Sequence, residues 1–80
     1  MSEEHTYFTE VEARQKVSRT VYAAQDLPNV PAGTLGWTVN LEEAPNGEGF
    51  FVWVRWDPRG RGPFRYMRLR RDEFEAWTTI

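Results

Sequence analysis

A nucleophile, a general base or a metal cluster requires particular side chains, and this 80-residue chain holds few of them. It has no Cys, a single His (His5) and two serines, Ser2 and Ser18. Without Cys there is no thiol nucleophile, thiolate metal site or disulfide. One His in an N-terminal tail cannot complete a Ser/His/Asp or Cys/His constellation, nor a His/Cys metal site. The adjacent acids Glu42–Glu43 and Asp72–Glu73 sit in turn-like segments and read as solvated surface, not as a general acid–base pair. Gly60 and Gly62 flank Arg61 in the manner of a phosphate-cradling loop, yet no helical pattern follows them, so the segment reads as a hairpin tip. The inventory predicts a chain that is not an enzyme and carries no cofactor or metal.

The chemistry that is abundant belongs to rings and guanidinium groups. Aromatics make up 15% of the residues and include four Trp. The net charge of −2 conceals an asymmetry. Met1 to Val54 carries three Lys/Arg against eight Asp/Glu (−5), whereas Arg55 to Ile80 carries seven Arg, no Lys and four acids (+3). Arg stacks on rings and forks onto carboxylates or phosphates, which a Lys-based solubilising charge does not do. No run of about 18 apolar residues spans a membrane, and the N-terminus is acidic where a leader is basic. The absence of Cys fits a reducing compartment. A cytoplasmic chain with no membrane partner is the expectation.

The elements that must position these groups follow from period and turn chemistry. The first residues are aperiodic. Thr9-x-x-Glu12 is a capping-box pattern and predicts a short helix over about 10–16, with Phe8 and Val11 as anchors. From Val17 the period becomes two, with Val17, Arg19, Val21 and Ala23 on one face of a first strand. Asp26 to Gly33, with Pro28 and Pro31, makes a wide loop. Thr34 to Leu41 then alternates Leu35, Trp37, Val39 and Leu41 inward against Thr34, Gly36, Thr38 and Asn40 outward, with a bulge or bend at Gly36. Pro45-Asn46-Gly47 is a turn. Phe50 to Asp57 and Phe64 to Arg70 are two strands of a hairpin whose tip, 57–63, is basic. Arg71 to Phe74 reads as one helical turn and Glu75 to Ile80 as a closing strand. The pattern predicts an all-β fold, a five-stranded small barrel over 17–80 with a short helical or disordered N-terminal extension, acidic in character, over 1–16. A domain of this size buries only roughly 60% of its unfolded-chain surface, so each large apolar residue counts. Val21, Val30, Trp37, Val39, Leu41, Phe74 and Trp77 have the spacing of inward positions.

Strict alternation makes the hairpin two-sided. With Phe50, Val52, Val54 and Trp56 inward, Phe51, Trp53 and Arg55 face out; with Met67 and Leu69 inward, Phe64, Tyr66, Arg68 and Arg70 face out. Arg59 and Arg61 extend this aromatic–arginine surface at the tip. Two arrangements leave it without a binding role: arginines merely lying over rings, or the N-terminal segment folding back to cover the stripe with Phe8 and Val11. Two others use it, by docking a protein partner or a second copy, or by stacking single-stranded nucleic acid. Docking of protein is preferred, because the overall pI is near 5.3 and the basic half lacks Lys.

The stretch Pro31-Ala32-Gly33-Thr34-Leu35-Gly36, the strand ending Val54-Arg55-Trp56-Asp57 and the segment Asp72-Glu73-Phe74-Glu75 resemble bacterial SH3-like domains. Those carry a Pro-x-Gly-Thr-x-Gly turn, a Val-x-Phe/Trp-Asp strand and an Asp-Glu-Leu/Phe-Glu ending. Such domains occur in the variable subunit of ferredoxin–thioredoxin reductase and in a small photosystem I subunit. The resemblance covers about 17–77 and implies an SH3-like barrel and an accessory, partner-binding role without catalytic residues, which includes that of a small subunit of a redox complex. The acidic N-terminal extension and Arg59-Gly60-Arg61-Gly62 depart from the simplest versions. The loop from Gln25 to Ala32, placed where SH3-like folds grip ligands, lacks the acids and paired aromatics of a proline-rich-peptide groove.

Overall fold

In the computed structural model, which describes residues 6–57 and 63–79, the chain begins with the capping box its sequence predicts. Glu12 N donates to Thr9 Oγ1 (3.1 Å) and Thr9 N to Glu12 Oε1 (3.0 Å), opening helix α1, Glu10–Lys16. Seven residues do not hold a helix in water, so α1 depends on packing. Ala13 supplies it, fully buried, together with Phe8 just before the helix. Val11, expected as an anchor, is 65% exposed. At 3.6 residues per turn it points about 200° away from Ala13 around the helix, toward solvent.

Five antiparallel strands form a single sheet in the order β4-β3-β2-β1-β5. They are β1 Thr20–Ala23, β2 Leu35–Glu43, β3 Phe50–Asp57, β4 Arg65–Leu69 and β5 Thr78–Thr79, with helix α2, Arg71–Trp77, between the last two. The fold is thus mostly β with two short helices, and its sheet is open where a closed barrel was expected. Helix α2 also takes up most of the segment expected to form the last strand. Arg70 N donates to Glu73 Oε1 (2.9 Å), acids occupy the first turn, and Arg71 pairs with Glu75 (3.2 Å), so the helix runs on through the residues expected to form a closing strand. Only Thr78 and Thr79 remain to pair with β1.

In β2 the inward and outward faces are the reverse of those expected. Thr34, Gly36 and Thr38 face the core, while Trp37 lies on the opposite side, half-buried, and Val39 is exposed. A Cβ on Gly36 would sit 2.7 Å from Trp56 Cε3, so the indole of Trp56 fills the volume that a side chain there would need. The bulge falls at Val39 instead of Gly36: pairing with β3 shifts register between Thr38 and Asn40. Beyond it Leu41 turns back to pack on the core.

Thr38 ties the helix to this sheet. Its hydroxyl donates to Lys16 O and accepts from Arg19 N (2.7 Å), and its backbone exchanges hydrogen bonds with Ser18 N (2.7 Å) and Arg19 O (2.9 Å). The core is built from Phe8, Ala13, Val21, Ala23, Leu27, Val30, Val52, Val54, Trp56, Leu69 and Phe74, with Leu41, Phe50, Met67 and Trp77 packed against it. The helical segment therefore contributes to the same core as the strands. Leu27 and Val30 enter it from the wide loop, whose turn is closed by reciprocal Leu27–Val30 backbone bonds of 2.8 and 2.9 Å.

Candidate functional site

The outer face of β3 and β4 is where rings and arginines gather. Val52, Val54 and Trp56 are wholly buried, which sends Phe51, Trp53 and Arg55 to the other side. Leu69 is buried and Met67 packs on the core, which sends Tyr66 and Arg68 outward. Across β3–β4, Trp53 faces Arg68 and Arg55 faces Tyr66; across β3–β2, Phe51 faces Glu42, Trp53 faces Asn40 and Arg55 faces Trp37.

One end of this face is closed. Phe51, expected to be exposed, is 8% accessible, because the N-terminal strap crosses it. Phe8 pairs with Phe50 through two backbone hydrogen bonds (3.1 and 2.8 Å), and this lays the Tyr7 ring edge-on against Phe51 at 5.4 Å. Tyr7 does the covering assigned to Phe8 and Val11; Phe8 itself goes into the core against Phe74. The strap fits only because residue 49 is Gly, at φ +143, where a Cβ would lie 2.5 Å from Tyr7 Cβ and 2.7 Å from Phe8 O. The Arg68 guanidinium covers the Phe51 ring as well, 4.4 Å from its centroid. Glu42 then answers both neighbouring donors, Oε1 accepting from Trp53 Nε1 (2.8 Å) and Oε2 from Arg68 Nη1 (3.0 Å).

The other end is open. The Arg55 guanidinium lies between two rings, 5.0 Å from the centroid of Trp37 and 4.5 Å from that of Phe64. Its Nε is buried with no hydrogen-bond partner among the described residues. Beside it Phe64 is 45% and Tyr66 59% exposed. This arrangement presents apolar rings and a stacked, pre-positioned cation to solvent.

Of the residues singled out from sequence, Arg55, Phe64 and Tyr66 come together at the open end. Phe51, Trp53 and Arg68 form the closed end. Arg70 is drawn off to α2, where it pairs with Asp72 (3.1 Å) and Glu73 (3.5 Å). Arg59 and Arg61 lie outside the described residues. Trp37 and Val39, expected inward, lie on the outer side of β2, and Trp37 belongs to the open end. The signal for it was present: Thr34, Gly36 and Thr38 are small residues at period two, the profile of a strand face packed against a bulky neighbour, here Trp56. Leu35 and Tyr22, which face each other across β2–β1, continue the same surface, and Tyr22 is 42% exposed.

Among the described residues no group of three or more His, Asp or Glu is placed to hold a metal ion, and no helix is long and apolar enough to cross a membrane. Comparison with protein-family models, with curated proteins and with solved structures finds no match to this chain.

Proposed function

We propose that this chain is a non-catalytic docking module that takes a protein partner against the open, aromatic–arginine end of its sheet face. The observation that carries the reading is Arg55, held between Trp37 and Phe64 with exposed Tyr66 alongside. Exposed rings and Arg are the groups in which interface centres are enriched. A guanidinium already immobilised by two rings loses less rotamer freedom on meeting a partner. The SH3-like identity belongs to the same proposal. A five-stranded antiparallel order with the last strand returning to the first, and a long β2 bent by its bulge, supports it.

Stacking of single-stranded nucleic acid uses the same groups, and Trp37, Phe64 and Tyr66 beside Arg55 favour it as the second reading. The charge balance weighs against it: Arg68 and Arg70 are already paired with carboxylates, and the net charge is −2. Affinity capture with wild type and with the Phe64→Ala, Tyr66→Ala double variant tests the first reading, and an oligo-dT titration at rising salt tests the second. Docking predicts a protein captured by wild type and lost by the variant. Oligo-dT binding that falls steeply with salt, as counterion release requires, would favour nucleic acid instead.

A further inference from the structure

Strand order leaves β4 at one end of the sheet, paired among the described residues with β3 alone. One side of its backbone, over Arg65–Leu69, therefore presents N–H and C=O groups that no other strand among the described residues answers. The opposite end of the sheet is the two-residue β5, too short to offer a comparable edge. The β4 edge adjoins the open end of the aromatic face, since Phe64 and Tyr66 belong to the same run of chain.

From these observations we infer that the docked partner is an extended acidic segment that adds to the sheet as a further strand beside β4; this rests on the docking role proposed above. A free strand edge needs a peptide backbone to complete its hydrogen bonds, which a nucleic acid does not supply. Charge then selects which peptide. Of the four arginines in residues 63–71, Arg68 is held by Glu42, Arg70 by Asp72 and Glu73, and Arg71 by Glu75, which leaves Arg65 as the cation at the edge. Arg65 forms no ion pair among the described residues, and it faces Trp56 across the ladder, on the core side of the edge. A cation in that position blunts indiscriminate edge pairing. It also disfavours a second copy, because β4 laid against its own twin brings an Arg65 from each chain to one seam with no carboxylate on either strand to answer them. An acidic strand meets the opposite condition, its carboxylates seated by Arg65 and its apolar residues lying over Phe64 and Tyr66. The same charges thus attract one class of strand and repel the chain itself.

The test is an amide hydrogen-exchange and chemical-shift titration of the ¹⁵N-labelled full chain with a synthetic hexapeptide of alternating Glu and Val. Its Lys-for-Glu counterpart and a short oligo-dT strand are run in parallel, with light scattering on the free chain. Strand addition predicts that the Glu–Val peptide slows exchange at the β4 amides that point away from β3. It also predicts that the Lys–Val peptide does not, and that Arg65→Glu weakens Glu–Val binding by about tenfold or more while core chemical shifts stay in place. If the Glu–Val peptide binds, and the Phe64→Ala, Tyr66→Ala variant loses it, yet the β4 amides stay unprotected, strand addition is overturned and docking on the face stands. No binding of either peptide overturns strand addition by acidic segments. Tighter binding of oligo-dT overturns both readings, and a doubled mass for the free chain assigns the edge to a second copy.

Discussion

The two ends of one strand's outer face behave differently. At Phe51 and Trp53 the ring is covered by Tyr7 and Arg68 and the indole N–H is answered by Glu42. Two strand steps further on, at Arg55, rings stand in solvent and a buried guanidinium nitrogen has no partner among the described residues. The composition of the two ends is nearly the same. What separates them is the N-terminal strap and one carboxylate, so an aromatic–arginine pattern by itself does not distinguish structure from surface. Coverage and pairing do.

The largest effect is expected from removing the strap's anchor. Phe8→Ala deletes a ring that is 2% exposed, and should cost about 3–5 kcal/mol in chemical denaturation. A small loss would mean that the closed end is not closed from the N-terminal side. Gly49→Ala leaves the anchor but forbids the crossing, through the Tyr7 contact and the positive φ, and should cost about 1–3 kcal/mol. It should abolish the nuclear Overhauser contact between Tyr7 and Phe51 while the Arg55–Phe64 contact persists; loss of both would erase the distinction between the ends. Glu42→Ala removes the acceptor for Trp53 and Arg68. Because the ion pair is close to half exposed on both sides, the expected loss is only about 1 kcal/mol, and Glu42→Gln, which retains an acceptor for the indole, should cost less. Smallest of all is Tyr66→Ala, at 59% exposure, which should shift stability by no more than about 0.5 kcal/mol.

Strand β3 and the position of helix α1 were legible in the sequence, because their signals are local. Thr9 and Glu12 cap the helix, and Gly49 and Pro58 bracket a run rich in Phe, Val and Trp in the strand. The facing of β2 was legible only in the small residues Thr34, Gly36 and Thr38, a signal that the alternation of large apolar residues outweighs. The volume of Trp56 on the neighbouring strand decides it, and no residue type announces the bulge at Val39. That single inversion hid Trp37, and with it half of the clamp on Arg55. The covering of Phe51 escaped for a related reason. Tyr7 reaches it through a backbone bridge between segments far apart in the chain, and the requirement appears locally only as a glycine at position 49. The length of α2 was underestimated because a capping carboxylate and an i,i+4 ion pair carried the helix past Phe74.

The most direct measurement pairs unfolding free energy with affinity for the Glu–Val peptide in the Phe64→Ala, Tyr66→Ala double variant. A docking role for the open end predicts stability within about 1 kcal/mol of wild type and binding weakened by about tenfold or more. Unchanged affinity accompanied by a loss of several kcal/mol in stability would show that these rings hold the fold together and do not serve a partner.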